Sequence, residues 1–434
     1  MRGSRTCILV SPYFPPSTLA GVHRARHLAK YLPTVGWQAI VVCVDERYHE
    51  ERLDPGLAAL VPASVEVLKV AALSSAITRP FGFGEISLRA WPYLRRALLG
   101  AISARQIDAV LITGSPYYPM LFAREIRRRG VPVVLDFQDP WVSNWGDAQP
   151  RLSKRGFSHA LANLLEPRAV GAANFITSVS DIQNAEMATR YPWLDRSKMA
   201  AIPIGGDPRD YDVLQRFGAD VGLLPFGEGR FEISYVGTIW PPVIETLRAF
   251  LRAVKRLANQ APEVYERVRV NFVGSSADPS DTGGSRVMPL AVAEGVGDRV
   301  REVPRRLPYL EALSIQARSD AILILGSDES HYTASKVFGV LMSGRPYLSI
   351  FHRLSSSHEI LTKTGGGIAL SFNGKDDLVA LEQPIVDALV RLVSAPESLG
   401  RADPSAYAPY EACAVAARYA AIFERISTTS GVAF

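Results

Sequence analysis

Cysteine is scarce: the chain has three, Cys7, Cys43 and Cys413, in 434 residues. That is too few for a disulfide framework, and Cys7 and Cys43 fall in apolar stretches where a thiol packs as a small hydrophobic group. A reducing, cytoplasmic setting fits. Long apolar runs are missing too, since no stretch approaches the roughly 18 residues of a membrane-crossing helix. The basic start Met1-Arg2-Gly3-Ser4-Arg5 leads into an apolar run that breaks at Pro12, too soon for the apolar region of a signal peptide. The seven histidines are scattered, with no spacing to cysteines or carboxylates that suits a metal, so no metal or other cofactor is expected. No short-period repeat is present. No recognised nucleic-acid-binding motif accompanies the basic residues, which argues against DNA or RNA as a partner.

What is present is enough to build large cores. Hydrophobic residues make up 47% of the chain and charged residues 21%, and the length suits two or three domains. The net charge of +5 is uneven. Residues 1–205 hold 24 Lys and Arg against 16 Asp and Glu, or +8, which leaves −3 for the rest. Arg95, Arg96, Arg105, Arg124, Arg127, Arg128, Arg129, Arg151, Lys154 and Arg155 supply much of the surplus. They read either as solvated helix faces or as a surface for an anionic membrane or a diphosphate-bearing acceptor.

Short apolar runs alternate with helical periodicity along the whole chain, as a doubly wound α/β protein requires. Strands are expected at 6–11, 39–44, 65–70, 109–113, 131–135 and 174–178, then at 231–236, 268–273, 299–303, 320–325, 347–350 and 368–371. A helix is expected to open after Ser17-Thr18-Leu19-Ala20-Gly21, another to cover 151–172, and a long amphipathic one to span 410–426. Residues 207–229, rich in Gly, Asp and Pro, read as a linker.

Three stretches carry chemistry. The first is Ser335-Lys336-Val337-Phe338-Gly339-Val340-Leu341-Met342-Ser343-Gly344-Arg345-Pro346, which follows the strand 320–325 and the polar loop Asp328-Glu329-Ser330-His331-Tyr332. A helix beginning there offers free N–H groups and a dipole to a phosphate, and Lys336 adds a full charge. The second is Asp136-Phe137-Gln138-Asp139-Pro140-Trp141, with two carboxylates after a buried strand. They could bind substrate hydroxyls or orient a cation, or Asp136 could cap a turn while Trp141 fills a wall. The third is Gly114-Ser115-Pro116-Tyr117-Tyr118-Pro119, whose aromatics could stack on a sugar or cap a core.

The run 335–346 resembles the donor-nucleotide segment of GT-B glycosyltransferases, especially the large retaining family 4. Gly339 stands where that family carries a glutamate for the ribose hydroxyls. The second stretch is similar to the Asp-x-Arg-Asp-Pro-Trp segment of some family 4 enzymes, with Gln138 in place of the arginine. The Pro-rich loop ending at Ala20-Gly21 resembles the family's first glycine-bearing loop. Gly237-Thr238-Ile239-Trp240 occupies the turn where members commonly place Arg and Lys, and has neither.

The resemblance implies a GT-B fold, two Rossmann-like doubly wound domains with an interdomain cleft and a C-terminal helix crossing back. The domains are expected at 1–206 for the acceptor, 207–408 for the donor, and 409–434 for the returning helix. It implies a retaining, hexosyltransferase-type enzyme of polysaccharide biosynthesis, moving sugar from a nucleotide-sugar donor to a glycan, a lipid-linked sugar or a small molecule. The location implied is the cytoplasm or the inner membrane face, and no metal is needed. Donor contacts fall to Gly21, Gly237, Thr238, Glu329, Ser335, Lys336 and Val337, acceptor contacts to Tyr117, Asp136, Asp139 and Trp141, and catalysis to Lys336 and Asp139. Two other classes remain open: a non-catalytic GT-B nucleotide-binding or partner protein, which Gly339 and the turn at Gly237 favour, and a sugar-nucleotide epimerase.

Overall fold

The computed structural model describes residues 5–150, 152–217, 222–224, 226–227, 229–276 and 284–430. Residues 1–4, Arg151 and part of the expected linker lie outside them. The chain divides into two compact units, Met1–His49 with Ala58–Ile204 and Ala412–Phe434, and Glu50–Leu57 with Gly205–Glu411.

Unit 1 is built on seven parallel strands: β1 Arg5–Val10, β2 Trp37–Val44, β3 Glu66–Val70, β4 Ala109–Gly114, β5 Val133–Phe137, β6 Phe175–Ser178 and β7 Met199–Ala201. Their order is β3-β2-β1-β4-β5-β6-β7. The central β4 is buried along its whole length, as near-continuous apolar strands between helix layers must be. Edge strand β3 instead exposes Glu66 and Lys69, charges that discourage pairing with another chain. On one face of the sheet, Leu28 and Ala29 of the helix Val22–Tyr31 pack with Trp37 and with Val415, Tyr419 and Phe423 of the helix Ala412–Ser430.

Unit 2 has six parallel strands: β8 Phe231–Val236, β9 Val268–Val273, β10 Val300–Val303, β11 Ala321–Leu325, β12 Tyr347–His352 and β13 Gly367–Phe372. Their order is β10-β9-β8-β11-β12-β13. The strands β8 and β9 keep the bounds the sequence implies. The linker does not: Arg209–Phe217 is a helix. Its start is made by Asp207, whose carboxylate accepts the Arg209 N–H at 3.1 Å, so a residue read as loop composition is a capping signal.

Each sheet reverses its winding once, between β1 and β4 and between β8 and β11. In open parallel sheets the loops at the carboxyl ends of such a pair diverge and leave room for ligands. Of the stretches singled out above, 114–119 follows β4 and 335–346 follows β11, while 136–141 follows β5, the neighbour of β4.

Candidate functional site

In unit 2 the switch point joins Gly237, after β8, to Lys336, which opens the helix Lys336–Met342. The Lys336 ammonium donates to the Tyr235 hydroxyl at 2.5 Å and lies 4.1 Å from the centre of its ring. Tyr235 in turn donates to the Thr238 carbonyl at 3.0 Å, so the lysine is held by β8 and the turn after it. Gly237 has φ +139°, and a Cβ there would lie 2.9 Å from the Lys336 ammonium. The missing side chain is what lets the lysine lie across the turn. Among the described residues no carboxylate pairs with Lys336, and desolvation lowers its pKa from 10.5 to about 7. A half-buried cation in this state gains more from an incoming anion than a solvated one does.

The rest of the helix start is less open than the sequence suggests. The Val337 N–H donates to the Ala334 carbonyl at 3.1 Å, so it is not directed at a ligand. Its expected phosphate contact is withdrawn, because the first turn closes on itself. Ser335 makes no side-chain cap and the helix has only seven residues, so Lys336 is the main source of positive charge here. Thr238 is half-buried, its hydroxyl 3.4 Å from the Ser276 carbonyl. Glu329 is half-buried in the loop after β11, with its N–H on Ser327 Oγ at 3.3 Å.

Gly339 has a packing reason. A Cβ there would lie 3.2 Å from Gln316 Oε1, and Tyr211 donates to both that oxygen and the Gly339 carbonyl, at 2.9 and 2.8 Å. Gly339→Glu would press a carboxylate against a buried amide oxygen. It is expected to cost about 1–3 kcal/mol of stability without tightening nucleotide binding. Chemical denaturation and calorimetry of the variant check this, and tighter binding at unchanged stability would refute it.

In unit 1, Asp136 is not a surface acceptor group. It is fully buried, and Arg24 Nε donates to it at 3.1 Å with neither side chain exposed. Thr113, Thr177 and Tyr419 hydroxyls donate to the two carboxylate oxygens at 2.8, 2.8 and 2.7 Å. The remaining nitrogens of Arg24 hold the carbonyls of Ile202 and Pro203. The acceptor contact expected of Asp136 is therefore corrected: a buried arginine claims its charge, and its lone pairs point inward. Gln138 is likewise a tie, donating to Thr113 Oγ1 at 2.7 Å and to the Gly21 carbonyl at 3.0 Å. The backbone at Gly21 is close to the loop after β4, with the Ser115 carbonyl 3.4 Å from where its Cβ would be.

Tyr117, Asp139 and Trp141 do come together. The Tyr117 and Trp141 rings stack with centres 5.4 Å apart and planes 13° from parallel, and Tyr117 donates to the Asp139 carbonyl at 2.9 Å. Burial pushes the Tyr117 phenol up, so it stays a donor at neutral pH. Asp139 is exposed and both rings are half-buried. Beneath them Glu166, fully buried, accepts the Val142 N–H and pairs with Arg190, each at 3.0 Å. Sequence reading missed Glu166 and Tyr419, whose only local mark is a carboxylate or hydroxyl among the residues of a helix. Among the described residues no three His, Cys, Asp or Glu side chains gather as metal ligands.

Residues 20–205 match the sequence pattern of the glycosyl transferase 4-like domain. Solved structures similar to the whole chain extend the likeness in fold to both units. Anabaena HepE in complex with UDP and glucose superposes with a TM-score of 0.63 at 11% identity, covering 97% of this chain and 100% of that one. A glycosyltransferase from Rickettsia africae gives 0.61 at 12%, covering 98% of each chain. The α,α-trehalose 6-phosphate synthase of Burkholderia multivorans gives 0.63 at 13%, covering 98% and 100%. No curated protein matches it in sequence. The fold of the chain is GT-B.

Proposed function

We propose that the protein transfers a sugar, of hexose type, from a nucleotide-sugar donor to a sugar-bearing acceptor with retention at the anomeric carbon. The observation that carries this is Lys336, a half-buried cation without a carboxylate partner among the described residues, at the switch point of unit 2. Negative charge builds on the leaving diphosphate as the glycosidic bond breaks, and a fixed cation in a poorly solvated place stabilises it there. Lys336 fills that role, with the backbone at Gly237 allowing close approach. Glu329 takes the ribose contact that Gly339 cannot make. That HepE was solved with UDP and with UDP-glucose supports a donor of this class. Phosphate stabilisation rests on Lys336, with no metal in the scheme.

The stacked pair Tyr117 and Trp141, with exposed Asp139 beside it, suits the acceptor: an aromatic face for a sugar ring and a carboxylate for its hydroxyls. Trp141→Ala is expected to raise the acceptor KM about tenfold while leaving donor affinity alone. Equal losses for both substrates would remove Trp141 from the acceptor site.

A thermal-shift screen of nucleoside diphosphates and their sugars tests the main reading, because a ligand at about 100 times its Kd stabilises by about 2.7 kcal/mol. A set in which no nucleoside diphosphate stabilises the protein would overturn it. Release of nucleoside diphosphate only when an acceptor is present separates transfer from simple binding and from epimerisation.

A further inference from the structure

Two cations flank one turn of unit 2. The turn Gly237-Thr238-Ile239-Trp240 leaves β8, and at its first residue the Lys336 ammonium lies 2.9 Å from where a Gly237 Cβ would be. At its third residue Arg286, from the connection between β9 and β10, donates through Nη1 to the Ile239 carbonyl at 3.1 Å. Two residues of chain span no more than about 7 Å, so the two side chains meet the turn at closely spaced points. The turn itself is fixed. The Gly237 and Ile239 N–H groups donate to the Val273 and Ser275 carbonyls at 2.8 and 3.0 Å, and the Ile239 side chain is fully buried.

The carboxylate that holds the Arg286 segment is spent on its backbone. Glu302, on β10, accepts the N–H groups of Arg286, Val287 and Met288 at 2.9, 3.1 and 2.8 Å, together with the Ser275 hydroxyl. Those bonds also occupy the N–H groups that open the helix Met288–Ala293, so the positive charge here is the guanidinium's own. Arg286 is half-buried and, among the described residues, has no ion-pair partner, as is true of Lys336. A guanidinium carries five N–H donors, and the Ile239 carbonyl takes one of them. Two like charges held at one turn repel each other, and an anion that meets both removes that repulsion. A diphosphate, with oxygens on two linked phosphorus atoms, can meet both at once.

We infer that Arg286 is a second diphosphate-binding residue of unit 2, gripping one phosphoryl group while Lys336 meets the other. This rests on the reading of the unit 2 switch point as the donor site, and adds a residue from a connection that carries no motif. The planar fork of arginine suits two oxygens of one phosphoryl group, whereas the lysine ammonium acts as a point charge. Inorganic pyrophosphate, free of divalent cations, tests the pair without a choice of nucleotide base. In calorimetry the full chain should bind pyrophosphate more tightly than orthophosphate. Arg286→Gln keeps a donor for the Ile239 carbonyl but removes the charge. It should weaken pyrophosphate binding at least about tenfold and orthophosphate binding much less. Arg286→Lys restores the charge without the fork and should recover part of the loss. Unchanged pyrophosphate affinity in Arg286→Gln, with a loss confined to Lys336→Met, overturns the inference and leaves the donor reading standing. No pyrophosphate binding by the unaltered chain overturns it too. So does an equal loss of both anions in Arg286→Gln that Arg286→Lys does not recover, because the arginine would then only brace the turn. The donor reading fails by a different result, a screen in which no nucleoside diphosphate stabilises the protein, whatever pyrophosphate does.

Discussion

Asp136→Asn is expected to destabilise unit 1 by about 3–5 kcal/mol, because it leaves the Arg24 guanidinium charged and unpaired in the interior. The lost attraction is only part of this cost. Thr113, Thr177 and Tyr419 all direct hydroxyls at the same carboxylate, and an amide cannot accept from every one of them. Urea unfolding followed by tryptophan fluorescence reads mainly unit 1, which holds five of the six tryptophans. A midpoint within about 1 kcal/mol of the unaltered protein, together with lost turnover, would show that Asp136 serves the substrate and not the fold.

Lys336→Met is expected to act in opposite directions on binding and stability. Losing a charge-assisted phosphate contact should weaken nucleoside diphosphate binding about 10- to 150-fold, from about 1.5–3 kcal/mol, and bare nucleoside binding far less. Between pH 7 and 10.5 the unfolded chain holds a proton on Lys336 that the folded chain has released, so this residue's contribution to stability rises with pH across that window. Below about 7 both states are charged and folding carries the full desolvation cost. The variant should therefore unfold at a higher midpoint than the unaltered protein, with a larger gain at pH 6 than at pH 9.

Binding has the reverse pH dependence. An anion favours the ammonium form and raises its pKa, so affinity should fall as pH climbs above about 7, by up to about tenfold per unit. The ligand's own second phosphate ionisation, near 6, affects both proteins equally and cancels in the ratio. A ratio independent of pH would show that Lys336 behaves as a solvated lysine.

The strands were readable because each is a short apolar run, and buried parallel strands have little other means of marking themselves. β8, β9 and β11 show this well. The helix Arg209–Phe217 escaped because Asp207 and Pro208 are equally at home in a loop and at a helix start. The site divides along the same line. A lysine after a strand is a local pattern, but its setting depends on Tyr235, 101 residues earlier, and on a glycine whose missing Cβ matters only once the two loops meet. Asp136 shows the opposite case. Its carboxylate looked available because its four partners lie between 23 and 283 residues away, and no spacing rule reaches across such distances.

The dispersed make-up of unit 1 has a consequence for biosynthesis. Chains emerge from the ribosome at about 5–20 residues per second, and domains made first usually fold first. Here the order is inverted. Every strand of the unit 1 sheet has been made by Ala201, yet Tyr419 is still more than two hundred residues from synthesis, and unit 2 is complete by Glu411. Until then the faces of Leu28, Ala29 and Trp37 that receive Val415 and Phe423 stay uncovered, and Asp136 lacks its tyrosine donor. The half that is begun first is thus closed last.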